Sequence, residues 1–216
     1  MTLFERLKSG NELIWDSFVH HEFVKQLASG KLPKSSFKHY LSQDYLFLIH
    51  FARVYALAAY KSENLADIRQ ASNGLNGIIN MEMDLHVKFC ADWDLSEAMM
   101  EAQPEAAETM AYTRYVLERG LSGDLLDLHV ALAPCIIGYA EIGNIFKDRI
   151  ENNPFGAWIE MYASDDYQKI AEAEIEQLNK LMESRGSEGR FNALSKIFDQ
   201  ATRLEVAFWQ MGLNIK

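Results

Sequence analysis

Three potentially reactive side chains lie in the middle of apolar helix faces in this 216-residue sequence: Asp44, Cys135 and Glu205. A projection at about 100° per residue places Asp44 inside the apolar arc of residues 34–61 and Glu205 inside that of the last helix. Carboxylates are rarely fully buried unless they are paired, because removing the charge from water is costly. The pattern indicates either an internal polar pocket or two structural carboxylates that bridge neighbouring helices.

Cys135 has the features of a thiol placed beside a cavity. Pro134 precedes it inside an apolar helix and predicts a kink, and Gly138 predicts free space one turn later. A lone buried cysteine is also an ordinary small apolar residue, so both interpretations stay open. Cys90 lies away from the apolar arc of its own helix, and we expect it to be structural. No histidine is within helical reach of Cys135 on its face, which excludes a sequence-local Cys–His pair.

Glu82 and His86 form another polar pair, on the apolar face of residues 64–93. Their spacing of four residues puts both on one side of a helix, where they can bind metal or each other. A carboxylate-bridged di-iron bundle needs a second Glu–His set, and all six histidines precede residue 130. We therefore expect a structural Glu82–His86 hydrogen bond and no metal. A metal-dependent oxidase built on the same pair is the alternative.

The elements that must position these groups are helices, and we predict an all-α bundle forming a single domain over residues 1–216. Only 26 residues are Val, Ile or Thr, too few for a sheet protein. Thr2 and Glu5 have capping-box spacing, Ser96 and Asp124 are expected caps, and Pro104 suits a first helical turn. The predicted helices span about 3–18, 21–29, 34–61, 64–93, 96–102, 104–119, 123–149, 154–162, 165–184 and 188–212.

Composition excludes several classes of partner and compartment. The chain has 21 basic and 31 acidic residues, a net charge of −10, and no Lys/Arg cluster, which disfavours nucleic acid and anionic membranes. The longest uncharged apolar run, residues 130–140, is too short to cross a bilayer. Two cysteines provide no disulfide framework, and the first residues lack a signal-peptide pattern. We expect a cytoplasmic protein.

Several motifs together resemble one known family. They are QDYLFLIHFA at 43–52, LAPCIIGYAEIG at 132–143, LEVAFW at 204–209, the lead-in at 32–44 and WIEMY at 158–162. In order and spacing they are similar to the thiaminase II (TenA) family across essentially the whole chain. The resemblance implies a haem-oxygenase-like helical fold without haem or another cofactor, and a homotetramer. It also implies hydrolysis of aminopyrimidines in thiamin salvage and, in many members, cleavage of thiamin into pyrimidine and thiazole.

The resemblance also implies roles for individual residues. Cys135 matches the family's nucleophile, which adds to the pyrimidine so that the amine or thiazole can leave. Glu205 matches its acid/base carboxylate, and Asp44 matches the carboxylate that binds the pyrimidine amino group. The remaining matches are pocket hydroxyls and a stacking ring: Tyr112, Tyr139, Tyr162 and Phe208.

Phe47 departs from the family pattern, because better-known bacterial members carry tyrosine there. A phenyl ring still packs at this position, but one hydrogen bond is lost. The expected substrate is 4-amino-5-aminomethyl-2-methylpyrimidine, which hydrolysis converts to the hydroxymethylpyrimidine, and Phe47 leaves open how efficiently thiamin is cleaved. The alternative is a non-catalytic pyrimidine-binding or regulatory protein of the same fold.

Overall fold

The computed structural model describes residues 1–215, apart from the side chain of Met81. Within this range the secondary structure is helical and contains no strand, which confirms the predicted all-α class. The α-helices are α1 Leu3–Gly10, α2 Glu12–Val19, α3 Glu22–Ala28, α4 Lys34–Lys61, α5 Leu65–Gly77, α6 Met83–Ala91, α7 Glu97–Glu101, α8 Ala107–Ser122, α9 Leu125–Ala133, α10 Tyr139–Phe146, α11 Gly156–Ala163, α12 Asp165–Arg185 and α13 Phe191–Leu213. Two π-helical turns, Ile78–Glu82 and Pro134–Gly138, join α5 to α6 and α9 to α10.

Most helix starts follow the signals in the sequence. The Thr2–Glu5 capping box is formed, with the Glu5 amide donating to Thr2 Oγ1 at 3.1 Å and the Thr2 amide to Glu5 Oε2 at 2.7 Å. Ser96 caps α7, and Asp124 Oδ1 accepts from two amides at the start of α9. The expected helix at 3–18 is interrupted at Asn11, whose side-chain amide donates to the Leu7 carbonyl at 2.8 Å.

Contacts divide the chain into two compact units, each built from separate stretches of sequence. Unit 1 comprises residues 1–32 and 129–210, and unit 2 comprises residues 33–128 together with the residues from Met211 on. The organisation of residues 1–216 as one domain stays a prediction.

Unit 1 is organised around the second half of the apolar segment 125–149. That segment is the one described helix long and apolar enough to span a membrane, but 89% of its apolar window is buried inside the protein. In unit 1 it packs against α2, α11 and α12. It is therefore a core helix, surrounded by aromatic side chains such as Trp15, Phe18 and Trp158.

Unit 2 is organised around α4, which packs against α5, α6, α7 and α8. Two glycines allow the close packing. A Cβ at Gly74 would lie 2.4 Å from the Tyr55 ring, and one at Gly120 would lie 2.8 Å from both Leu57 and Leu128 side chains. The long α4 is thereby fixed on several sides, and it carries Asp44 and Phe47.

Candidate active site

Cys135 lies in the π-helical turn Pro134–Gly138, in unit 1. Pro134 has no N–H to donate, so an α-helical hydrogen bond is missing there and the chain widens into a π turn. The Cys135 side chain is buried, with the residue 8% exposed, and its Sγ donates to the Leu132 carbonyl at 3.0 Å. π-Helical turns inside α-helices are frequent at functional sites, and this one carries the candidate nucleophile.

The prediction of free space beside Gly138 is wrong. A Cβ at Gly138 would lie 2.2 Å from Cε1 of Phe18, so the aromatic ring packs directly on the glycine backbone. Glycine is required there because the ring fills the volume that any side chain needs. Gly138 thus fixes the end of the π turn and does not open a cavity beside Cys135.

Glu205 is almost completely buried, with 1% of the residue exposed, on α13 in unit 1. Its neighbours along the helix, Phe208 and Trp209, are buried too. The structure therefore confirms that this carboxyl group lies on the apolar side of the last helix. Burial of a carboxyl group that brings no packing advantage is typical of residues kept for chemistry or for a specific polar contact.

Aromatic side chains of unit 1 form a connected wall that follows the π turn. Tyr139 is the first residue of α10, and its ring centroid lies 4.9 Å from Tyr162 and 5.3 Å from Trp209. Gly143 brings α10 and α11 together, because a Cβ there would lie 2.4 Å from the Tyr162 carbonyl carbon. Two of the predicted tyrosines, Tyr139 and Tyr162, are thus neighbours, and Phe208 contacts the same wall through Trp209 at 6.5 Å.

Asp44 is a buried carboxyl group in unit 2. Burial raises its pKa from 3.8 to about 7, while a hydrogen bond from the Tyr40 hydroxyl to Oδ2, at 3.4 Å, acts in the opposite direction. His86 Nδ1 lies 3.6 Å from the same Oδ2. Burial therefore brings the pKa of the Asp44 carboxyl group close to neutral pH.

The predicted Glu82–His86 hydrogen bond is wrong for the chain as described over residues 1–215. His86 Nε2 is instead 2.9 Å from the Leu41 carbonyl of α4. Burial lowers the pKa of His86 to about 4 although the Leu41 bond raises it. Burial and the nearby charge of Asp44 raise the pKa of Glu82 to about 8. The described residues contain no group of three or more His, Cys, Asp or Glu side chains arranged to hold a metal ion.

The prediction that Cys90 lies outside the apolar arc of its helix is wrong. The residue is 0% exposed, and burial together with the charge of Asp44 raises the pKa of its thiol to about 12. The physical reason is the π turn Ile78–Glu82, which adds a residue and rotates the following helix by about 100° relative to a straight projection. Cys90 is therefore a protonated core thiol, in agreement with the structural role expected for it.

Phe47 and Tyr112 are brought together in unit 2, with ring centroids 5.2 Å apart. Both residues are buried. Phe47 thus packs a ring on Tyr112, as the sequence predicts for a phenylalanine at this position. Tyr112 of α8 and Phe47 of α4 therefore form one aromatic pair.

Gln43 is a buried polar residue whose structural role sequence reasoning missed. Its Oε1 accepts from Thr109 Oγ1 at 2.7 Å and from the Ala106 amide at 2.9 Å, and its Nε2 donates to the Pro104 carbonyl at 3.0 Å. These bonds hold residues 104–106 outside the helix, so α8 begins at Ala107 and not at the predicted 104. A buried amide beside Asp44 on an apolar face was the signal available in the sequence.

The eight predicted site residues therefore fall into two sets, and all eight are buried. Unit 1 holds a thiol, a carboxyl group and three rings: Cys135, Glu205, Tyr139, Tyr162 and Phe208. Unit 2 holds a carboxyl group and two rings: Asp44, Phe47 and Tyr112. Such groups can supply a nucleophile, move protons, accept a hydrogen bond and stack on a flat ligand.

The fold is that of haem-oxygenase-like helical proteins. A domain with a heme oxygenase-like fold from Shewanella denitrificans superposes with a TM-score of 0.75 at 14% identity, covering 97% of this chain and 91% of that chain. At this identity the likeness shows the fold alone. It confirms the architecture expected from the sequence motifs.

The chain belongs to the TENA/THI-4/PQQC family, whose profile matches residues 10–215. It is 38% identical over 205 residues to the aminopyrimidine aminohydrolase of Halalkalibacterium halodurans, which covers 93% of this chain and 91% of that protein. It is 44% identical to a solved structure described as a TenA family transcription regulator from a Silicibacter species. That superposition has a TM-score of 0.94 and covers 99% of this chain and 97% of the other.

Proposed function

We propose that this protein is an aminopyrimidine aminohydrolase of thiamin salvage. The observation that carries the proposal is a buried thiol at a π-helical turn, Cys135, in the same compact unit as the buried carboxyl group of Glu205. The proposed reaction converts 4-amino-5-aminomethyl-2-methylpyrimidine and water to the hydroxymethylpyrimidine and ammonia. Membership of a family that includes a 38% identical aminopyrimidine aminohydrolase supports this choice.

In the proposed mechanism, the sulfur of Cys135 adds to the electron-poor pyrimidine ring, which weakens the bond to the aminomethyl nitrogen. Glu205 donates a proton to that nitrogen, and ammonia leaves. Water then adds at the exocyclic carbon, Glu205 takes a proton from it, and expulsion of the thiolate restores the ring. A thiol with an ordinary pKa near 8.5 is only a few per cent ionised at neutral pH, so a base is required, and Glu205 is proposed for that role.

The other predicted residues are proposed to bind the substrate. Asp44 accepts a hydrogen bond from the ring amino group. Phe208 stacks on the pyrimidine, and the tyrosine hydroxyls supply polar contacts: Tyr112, Tyr139 and Tyr162. Phe47 supplies a ring without a hydroxyl, and we therefore propose that the aminopyrimidine is a better substrate than thiamin.

The test is an incubation of the purified protein with the aminopyrimidine and, separately, with thiamin, following release of hydroxymethylpyrimidine by chromatography. We expect turnover of the aminopyrimidine and slower release from thiamin. Phe47→Tyr is the matched variant. We expect it to reduce the difference between the rates of hydroxymethylpyrimidine release from the two substrates. Absence of turnover with both substrates would contradict the proposal.

A second candidate function is a pyrimidine-binding regulator, because the 44% identical relative is described as a transcription regulator. A net charge of −10 without a basic cluster disfavours direct contact with nucleic acid. A regulator requires no reactive thiol, whereas Cys135 and Glu205 are both kept here. Calorimetric binding of the aminopyrimidine without any turnover would favour the regulator over the enzyme.

We further propose a cytoplasmic homotetramer, as expected from the sequence. A catalytic thiol must stay reduced, and neither cysteine is in a disulfide, which suits a reducing compartment. Large apolar side chains are exposed along α5, α6 and the π turn between them, a typical mark of an interface. They are Leu65, Ile68, Ile79 and Leu85. Light scattering should give about four times the 24.7 kDa chain mass, reduced in Ile79→Glu but not in the control Leu13→Glu on α2.

A further inference from the structure

His86 ties α6 to α4 directly beside Asp44. Its Nε2 is 2.9 Å from the Leu41 carbonyl, and its Nδ1 is 3.6 Å from Asp44 Oδ2. A carbonyl can only accept, so Nε2 carries a hydrogen, and in the neutral ring Nδ1 is then the nitrogen with the lone pair. Because burial lowers the pKa of His86 to about 4, the ring is neutral at physiological pH. The histidine therefore presents a hydrogen-bond acceptor to Asp44.

This acceptor acts on one oxygen of Asp44. A carboxylate facing a lone pair is repelled, whereas a carboxyl group with its hydrogen on Oδ2 is attracted. The Tyr40 hydroxyl, also on α4, is 3.4 Å from the same Oδ2. The other titratable groups that face Asp44 are Glu82 in the π turn and Cys90 on α6. The Tyr40 hydroxyl and His86 Nδ1 both lie on the Oδ2 side of Asp44, which leaves Oδ1 as the acceptor oxygen for a ligand.

We propose that His86 is a positioning residue for substrate recognition: it holds the hydrogen of Asp44 on Oδ2, so that Oδ1 is presented to the amino group of an aminopyrimidine. The inference rests on the function proposed above, in which Asp44 binds that amino group. Glu82 has no such role. Among the described residues, no hydrogen bond joins Glu82 to Asp44 or to His86.

Two substitutions separate the two nitrogens of His86. Gln places its amide near the position of Nε2 and can still donate to Leu41, but nothing then faces Asp44. Asn places its amide near the position of Nδ1 and loses the bond to Leu41. We expect His86→Gln to raise KM for the aminopyrimidine about 10-fold or more, with kcat within about 3-fold and little change in Tm. His86→Asn should recover part of the KM and lower Tm.

The pH profile of KM distinguishes positioning from a purely structural role. Loss of the acceptor removes a partner of protonated Asp44, so the pH at which KM changes should move down in His86→Gln. Glu82→Gln is the matched control, and its KM at pH 7 should equal that of the wild type. A wild-type KM and pH profile in His86→Gln would overturn the inference. The role of His86 would then be limited to the hydrogen bond that joins α6 to α4.

A spectroscopic measurement on the unchanged protein covers the case in which His86→Gln does not fold. In ¹⁵N-histidine-labelled wild type at pH 7, we expect His86 to be neutral with its hydrogen on Nε2. A ring protonated on Nδ1 would overturn the inference. If the wild type turns over the aminopyrimidine while His86→Gln is unaffected, only this inference fails. If the wild type neither binds nor hydrolyses it, the proposed function fails as well.

Discussion

The buried polar residues of the two compact units differ in the chemistry they can perform. Unit 1 carries Cys135 and Glu205, a potential nucleophile and a potential proton carrier. Unit 2 carries Asp44 with its neighbours Tyr40 and His86, which can orient a ligand through hydrogen bonds but include no accessible nucleophile. Under the proposed function, changes to Cys135 and Glu205 are therefore expected to lower kcat, whereas changes to Asp44 are expected to raise KM.

The largest expected effect within this comparison is that of Glu205→Gln. Removing an acid/base group lowers kcat by about 10²–10⁴, because neither the departure of ammonia nor the attack of water is then assisted. Glu174 is the matched control in unit 1, a buried carboxyl group 2.8 Å from His129 Nδ1. Steady-state kinetics should show a near-wild-type kcat in Glu174→Gln. That substitution is expected to lower the stability of the protein instead. A near-wild-type kcat in Glu205→Gln would refute its assigned role.

Asp44→Ala is expected to act mainly on binding. It removes the acceptor oxygen that faces the substrate amino group, and leaving that buried amino group without a partner costs about 1–3 kcal/mol of binding free energy. KM should therefore rise about 10- to 100-fold with kcat within a few-fold. A fall in kcat as large as that of Glu205→Gln, with an unchanged KM, would contradict the binding role proposed for Asp44.

A smaller effect is predicted where the two π turns differ. Gly138→Ala introduces a Cβ 2.2 Å from Phe18, and overpacking of this kind costs about 1–3 kcal/mol of unfolding free energy. Gly77, directly before the other π turn, has no atom within 4 Å of such a Cβ. Gly77→Ala should therefore be neutral or stabilising by about 0.4–1 kcal/mol. Urea unfolding of both variants measures the contrast, and equal destabilisation would contradict it.

Glu82→Gln tests the electrostatics of unit 2 through the pH dependence of stability. The pKa of Glu82 is about 8 in the folded protein against an ordinary 4.5. The folded state therefore binds more protons than the unfolded state in this window, and stability falls as pH rises from about 4.5 to about 8. Glu82→Gln does not lose stability in this way. The difference in unfolding free energy between Glu82→Gln and the wild type should therefore be more favourable to the variant at pH 8 than at pH 4.5, by on the order of 1–3 kcal/mol. If urea unfolding gave the same difference in unfolding free energy between the two proteins at both pH values, the raised pKa of Glu82 would be contradicted.

The helix faces were predictable from the sequence wherever a helix is uninterrupted. Asp44 lies on α4, which runs from Lys34 to Lys61 without a break, and its burial follows from a simple projection. Beyond the π turn Ile78–Glu82 the same projection fails. Leu85, expected inside the apolar arc, is 54% exposed, and Cys90, expected outside it, is completely buried. The extra residue of a π turn rotates the faces of the following helix by about 100°, and no local sequence pattern indicated this π turn.

The site residues were predictable only in part. Their identities came from motifs that resemble a known family, and the burial of Asp44, Cys135 and Glu205 followed from helical periodicity. The partners of His86 and Gln43 did not follow, because both side chains bind backbone groups of other segments, Leu41 in one case and the 104–106 loop in the other. Such contacts depend on how helices pack, which a periodic pattern does not contain.

The central claim is that the thiol of Cys135 performs the reaction, and the two cysteines allow a direct test. Cys135 and Cys90 are both buried and outside any disulfide, so the variants Cys135→Ala and Cys90→Ala remove the same atom from different sites. Initial rates of hydroxymethylpyrimidine release should fall below detection in Cys135→Ala and stay near wild type in Cys90→Ala, with both proteins folded by circular dichroism. Retained turnover in folded Cys135→Ala would contradict the account.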